Sequence, residues 1–263
     1  MSCGFLYDDK SLTATVTASS GTLGDGGVDK LLDPQPRHRM RLSGSTAHFV
    51  MDLGAIYSLD CFALISTNIT DAGSARVRVS DTDAAAVSSL THDSGVMNGC
   101  TDDEWLGQVI EVLTSPINGR YLRWDLTIGS GASIDIGLAP VGLLWRPQRN
   151  YAYGANRGRQ DYSVREGNSR TGTNFPVRGS SARVQAFQLT AMTPAEADGD
   201  MRNMDSRVGV AGDVLWIPET TDVVLTRAKD SIWGAFKQVG TPTLIVHDSF
   251  QIHSRAFQMV ERL

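Results

Sequence analysis

The sequence predicts a mainly β protein, and three observations carry that reading. Short runs alternate apolar and polar residues with a period of two, most clearly over Arg120–Ile128. Glycine is frequent, 26 of 263 residues, as a chain with many turns requires. A helical period with start and stop signals is confined to one stretch, 194–207. The length allows two domains with separate cores. A break at Arg146-Pro147 divides the chain into an expected β-sandwich, 1–145, and an expected β-sandwich or barrel flanked by one α-helix, 146–263.

In chain order, Leu12 to Thr17 alternates as a strand with Leu12, Ala14 and Val16 inward. Ser19 to Gly27 is a Gly/Ser loop. Its glycines lack the order of either nucleotide fingerprint, and no Gly-Lys-Ser/Thr follows, so it is a flexible connection rather than a phosphate cradle. Leu31-Leu32-Asp33-Pro34 is a short apolar anchor ending in a turn, because Pro34 fixes its own φ and drives Asp33 out of the helical region. Arg37-His38-Arg39-Met40-Arg41 follows as a charged, extended segment. His48 to Leu53 reads as a half-buried strand stopped by Gly54, and Leu59 to Thr67 as a central strand covered on both faces, closed by a loop at Asn68.

Further on, Ala75 to Ser80 places Val77 and Val79 on one face and Arg76 and Arg78 on the other. Asp81 to Cys100 is loop or short hairpin. Asp102-Asp103-Glu104-Trp105 could hold calcium or stack a sugar; three adjacent acids cannot all converge on one ion, which favours a solvated acidic turn with its tryptophan tucked into the sandwich edge. In Arg120–Ile128, residues Leu122, Trp124, Leu126 and Ile128 face the core. Ile134 to Trp145 supplies the last strands of the first domain.

Four pieces of this half share the spacing of a known family: Leu31-Leu32-Asp33, the apolar-Asp-Leu-Gly of Met51-Asp52-Leu53-Gly54, the strand from Asp60 to Ile65, and Val77-Arg78-Val79-Ser80. Together they resemble the galactose-binding-like jelly roll of discoidin and coagulation-factor type C domains, a family of sugar binders and of domains that bind nothing soluble. The resemblance implies ligand contact through loops at one end of the sandwich, which here means Arg37, Arg41, Asn68 and Trp105. Stacking and bidentate hydrogen bonds would carry recognition of a host surface glycan. The plain alternative leaves the arginines paired with surface acids and Asn68 capping a turn.

From Arg146 to Arg183 the composition changes. Arginines 146, 149, 157, 159, 165, 170, 178 and 183 face only Asp161 and Glu166, with Tyr151, Tyr153, Tyr162 and Phe175 between them. Charge interleaved with rings suits a nucleic-acid groove, and equally an arm lying on a neighbouring subunit. The acidic chain and the length of the stretch favour the arm, and no specific nucleic acid is expected.

Thr193-Pro194-Ala195-Glu196 is a capping box, and Ala197, Met201, Met204 and Val208 form one apolar stripe ending at Gly209. Strands follow at Val214–Ile217, Thr221–Thr226, Ser231–Val239, Thr243–Val246 and Phe250–Val260. The element order, from Arg146-Pro147-Gln148-Arg149-Asn150-Tyr151 through the Val184 to Leu189 strand, the capped helix and Gly212-Asp213-Val214-Leu215 to a terminal strand, resembles minor tail and distal-tail proteins of tailed bacteriophages. That resemblance implies a structural virion component at the tail tip, distal tail or baseplate, assembled in the host cytoplasm as a closed ring, most often hexameric, against tube, hub or tip proteins. Arg149, Tyr151, Arg157, Arg159, Phe250, Phe257 and Met259 would make those contacts. The alternation slips between Ile252 and Phe257, which predicts a bulge and an unpaired terminal edge.

A formal net charge of −5 and a pI near 5.5 exclude a general attraction to polyanions. Cys3, Cys61 and Cys100 are odd in number and too far apart for a metal pattern, so reduced thiols and cytosolic maturation are expected. The chain's start lacks a signal-peptide pattern, and no apolar run approaches a membrane span. His92-Asp93-Ser94 and His247-Asp248-Ser249 look like hydrolase parts, but sequence neighbours in a strand point to opposite sides and cannot form a triad among themselves. The five histidines show no zinc spacing. No catalytic residue, metal or cofactor is expected.

Overall fold

A computed structural model of the protein describes residues 2–19, 21–69, 72–98, 107–168, 173–238, 240–247 and 250–263. It is mainly β and forms two compact units: Met1–Pro147 with Val214–Ser231, and Gln148–Asp213 with Ile232–Leu263. None of the described helices is long and apolar enough to cross a membrane.

The first unit is a β-sandwich built on two long antiparallel strands, Thr46–Thr67 and Gly107–Thr127. Alternation does what the sequence promised: Phe49 and Met51 on one strand and Leu122, Trp124 and Leu126 on the other lie inward, joined by Val77 and Val79 of Ser74–Ser80. Each such side chain contributes about 1.5–3 kcal/mol by leaving water. Gly54 does not stop its strand. The chain passes through it at φ +80°, and the register against the partner jumps between Asp52 and Tyr57. Asp52 makes this bend: its carboxylate accepts the Gly54 N–H at 2.8 Å and is clamped by Arg120 at 2.8 and 2.9 Å. A short ladder, Met40–Ser43 with Ser133–Ile136, adds Met40, Leu42, Ile134 and Ile136 to the same core.

One expected strand is shortened and another is replaced by a helix. Leu12 sits exposed on a 3-10 turn, Ser11–Thr13, because Asp9 gathers the Ser11 N–H and Oγ–H at 2.8 Å each; the strand begins only at Thr15. Thr221–Thr226, β-prone by composition, gives way to the helix Val224–Asp230, in which tertiary burial overrides propensity. Ala228 and Arg227 are buried there, and the Arg227 guanidinium donates to the carbonyls of Ile110 and Asp222. This helix and the strand Val214–Ile217 belong to the first unit. Gly4–Leu6 pairs with that strand, and Phe5 packs against Trp145 and Trp216 at centroid distances of 5.1 and 4.5 Å.

A buried carboxylate fastens the end of the first unit. Asp60 accepts from the Leu144 N–H and pairs with Arg146, so Arg146, read as the first arginine of a basic arm, belongs to the sandwich. Cys61 beside it is a buried thiol that desolvation pushes well above its usual range.

In the second unit the sheet runs Ile232–Phe236, Phe250–Glu261, Ser181–Met192, Asn156–Asp161, with Thr243–His247 also on Phe250–Glu261. The terminal strand is therefore internal, paired on both sides, and is not the unpaired edge expected of it. The bulge is present but on its partner, between Leu189 and Met192 opposite Arg255 and His253. The stretch expected as an extended arm folds on its own chain instead, as the edge strand Asn156–Asp161 and the hairpin Val164–Asn168/Thr173–Val177. Helical backbone runs from Pro194 to Val208 behind the expected capping box, with Ala197, Met201, Met204 and Val208 buried, and Asp205 pairs with Arg255 of the terminal strand.

Burial raises the Asp9 carboxyl to about 6, against the opposing pull of the Val141 and Ser11 donors. Its proton is thus held more tightly in the folded than in the unfolded chain. This contribution to stability is fully present at low pH and falls as pH rises from about 4 to about 6, by about 3 kcal/mol in total. Urea unfolding of the wild type and Asp9→Asn at pH 4 and pH 7 should show the stability difference between the two proteins shifting in that direction, with the variant lacking the slope.

Candidate functional site

The site is an open cleft of about 780 Å³ on the first unit, lined by the turn Leu23–Gly26, the segment Arg37–Arg41 and Ala132–Ser133, with Lys30 at its side. One wall exists because Gly26 has no side chain. A Cβ there would lie 2.7 Å from Arg41 Cβ and 2.8 Å from its backbone nitrogen. The close approach allows Arg41 N–H to donate to the Gly26 carbonyl at 3.1 Å and Leu23 N–H to the Arg41 carbonyl at 3.0 Å.

The opposite wall is held from behind. Arg41 forms a bidentate pair with Asp135 through Nε at 2.8 Å and Nη2 at 2.9 Å. The Asp135 carboxylate is nearly buried while the arginine is half exposed, so the pair presents a fixed guanidinium to the cleft and its acid to the interior. Asn68 spends its amide on the same strand, donating to the Ser133 carbonyl and accepting the Asp135 N–H, both at 2.9 Å. It braces the wall without lining the cleft.

Arg39 donates through Nε to the Ser66 hydroxyl at 3.0 Å. Ser66 is buried and held at φ +58°, a left-handed conformation that costs a non-glycine residue of order 1–3 kcal/mol. That twist ends the long Thr46–Thr67 strand and turns the hydroxyl to the arginine. His38 Nδ1 and Asp33 Oδ2 share a 2.5 Å hydrogen bond, which with the Gln35 N–H holds the Asp33 carboxyl below its usual range. Lys30 stands 3.5 Å from Asp29. Arg37 is exposed and makes no hydrogen bond or ion pair with any described residue.

Of the residues singled out in the sequence, Arg37 and Arg41 meet in the cleft, Asn68 stands behind it, and Trp105 lies outside the described residues. Lys30, His38, Arg39 and the Leu23–Gly26 turn also line it. Their signal was present as a basic segment beside a glycine-rich loop, whose pairing in space is a long-range event. In the second unit, Arg149, Arg157 and Arg159 are exposed, and Tyr151 meets Phe187 edge-on at 6.2 Å. Phe257 and Met259 are buried, Phe257 being stacked on Phe187 at 5.2 Å, so neither faces outward. Phe250 opens the terminal strand. His92-Asp93-Ser94 is committed piece by piece: His92 lies parallel to Phe62, Asp93 pairs with Arg76, and the Ser94 hydroxyl caps the Val77 N–H. Asp248 and Ser249 lie outside the described residues.

No family model and no curated protein matches the chain. Among solved structures it is similar to chitosan-binding module 1 of a chitosanase/glucanase from Paenibacillus sp. IK-5, at 16% identity over 51% of this chain and 96% of that one, TM-score 0.42. It is also similar to the fucose binding module SpX-3 of Streptococcus pneumoniae, at 13% identity over 52% and 98%, TM-score 0.41. A third is the lectin domain of Lectinolysin complexed with Lewis B antigen, at 12% identity over 51% and 95%, TM-score 0.39. These likenesses give no support to the tail-protein resemblance.

The geometry makes a sharp demand on Gly137, which follows the Ser133–Ile136 strand. A Cβ there would meet the Pro36 carbonyl oxygen at 2.3 Å, Ser66 Cβ at 2.8 Å and the Ile65 carbonyl oxygen at 3.0 Å. Two of these are backbone atoms that set the positions of Arg37 and Arg39. Gly137→Ala should therefore cost about 1–3 kcal/mol in urea unfolding, whereas Gly158→Ala, with open space around it, should stay within about 0.5 kcal/mol of wild type.

Proposed function

We propose that the protein is a carbohydrate-binding protein without catalysis of its own, and that the cleft between the Leu23–Gly26 turn and Arg37–Arg41 takes a glycan. The observation that carries this reading is the cleft itself. Its volume lies in the range of small-ligand sites, about 300–1,000 Å³. Its polar groups converge from three separate segments, and each wall is fixed by contacts that do not use up the cleft-facing side. Pre-positioned guanidinium forks are suited to the paired oxygens of sugar rings, because little side-chain freedom remains to be lost on binding. A host surface glycan is the partner this reading implies.

Val214–Ser231 completes the first unit, so the test uses the full chain. On a glycan array the wild type should show saturable binding to a discrete set of glycans. The double variant Arg37→Ala/Arg39→Ala, with an unchanged thermal melt, should lose it by tenfold or more. Saturable binding that survives this variant would place the site elsewhere, and an array without any saturable binding would end the reading.

A further inference from the structure

The four arginine and lysine residues of the cleft are not equivalent. Arg41 is neutralised by Asp135 through two hydrogen bonds, and Lys30 stands beside Asp29. Arg39, in contrast, is held by a hydroxyl, which fixes its position without cancelling its charge. Arg37 has no partner at all among the described residues. Among the described residues, two guanidinium charges therefore face the cleft uncompensated, against one lining carboxylate, Asp25.

Among the described residues, the lining also includes no tyrosine, tryptophan or phenylalanine. A neutral sugar is usually gripped by stacking its apolar face on a ring. The described lining thus offers charge where it offers no ring, and a charged partner strengthens each hydrogen bond these guanidinium groups make. Ser66 adds a second, independent pointer. A buried residue is kept in a left-handed conformation at the place where its hydroxyl orients Arg39, and strain of that kind persists only where the surroundings over-determine it.

From these we infer that the cleft selects a glycan carrying an anionic group, a carboxylate or a sulfate, seated between Arg37 and Arg39. The inference rests on the reading of the cleft as a glycan site. Arg41 and its buried acid form the fixed wall against which the sugar lies, while Arg37 and Arg39 decide which sugar is held. A phosphate polymer such as duplex DNA is the less suitable occupant, because the chain as a whole is acidic and repels a long polyanion outside the cleft.

The experiment uses matched pairs and the full chain in calorimetric titration. Oligogalacturonate is compared with its methyl ester, and dextran sulfate with dextran, in low and moderate salt; duplex DNA is titrated beside them. The charged member of at least one pair should bind at least tenfold tighter than its neutral mate, and which pair responds tells carboxylate from sulfate. The preference should weaken with salt. It should collapse in Arg37→Gln and in Arg39→Gln, weaken in Ser66→Ala, and persist in Arg149→Ala, which removes an exposed arginine of the second unit. Equal binding of charged and neutral mates, lost in Arg37→Gln, would overturn the inference and leave the glycan reading standing. Tighter binding of DNA than of any glycan would overturn both, and no binding of any of the five probes would overturn the inference alone, the glycan reading being decided by the array.

Discussion

The ladder between Thr46–Thr67 and Gly107–Thr127 is the constraint on which the first unit depends. Two long strands that stay hydrogen-bonded must change direction together, and they do so where Asp52 accepts the Gly54 N–H and binds Arg120. Beyond that bend, Asp60 sits fully buried and lashes residues 144–146 to the sandwich. At the far end Ser66 twists out of the strand and meets Arg39. The position of the cleft thus follows from the length of one strand: a shorter strand would end before it reached the basic segment, and Arg39 would have nothing to lean on.

Much of that strand pair was legible because alternation is a local signal. Val77, Val79, Leu122, Trp124 and Leu126 lie where a period of two puts them. The capped helix was legible for the same reason, since the box, the stripe and the stop all fall within one short window. Arg37 and Arg41 were found because charge clustered in sequence stays clustered in space when the segment is extended. What escaped was set by distance along the chain. Nothing local says that Gly26 must admit Arg41, that Val214–Ser231 returns to the first unit, or that the Asn68 amide is consumed by Ser133 and Asp135. The strand expected at Thr221–Thr226 failed for a related reason: β-branched residues set a preference of a few tenths of a kcal/mol, which burial of Ala228 and the Arg227 hydrogen bonds outweighs.

The terminal strand shows how an excess of apolar residues can be misattributed. Phe257 and Met259 look surplus to one sheet face, and a neighbouring subunit would absorb the surplus. In the structure the strand is internal and Phe257 lies between Phe187 and Phe236 with the Arg255 guanidinium against its ring. The extra apolar surface is met inside the second unit. Its edge is instead Asn156–Asp161, where exposed Arg157 and Arg159 discourage another strand from pairing.

The charge balance explains how an acidic chain can present a basic cleft. Several strong pairs in the first unit set one arginine against one aspartate, as Arg41–Asp135, Arg76–Asp93, Arg120–Asp52 and Arg146–Asp60 do, and each such pair sums to nothing at long range. The partners are not equally placed, however. Asp135 lies behind Arg41 with its carboxylate almost out of water, so the acid's field is spent on one guanidinium while that guanidinium keeps a face toward the cleft. Arg39 is anchored by a neutral hydroxyl and Arg37 by no described residue, so among the described residues no acid spends their fields. With a Debye length of about 8 Å at physiological salt, a ligand entering the cleft senses these near charges and little of the distant acidic surface. Specificity in such a site depends less on how many cations line it than on which of them the fold has left unpaired.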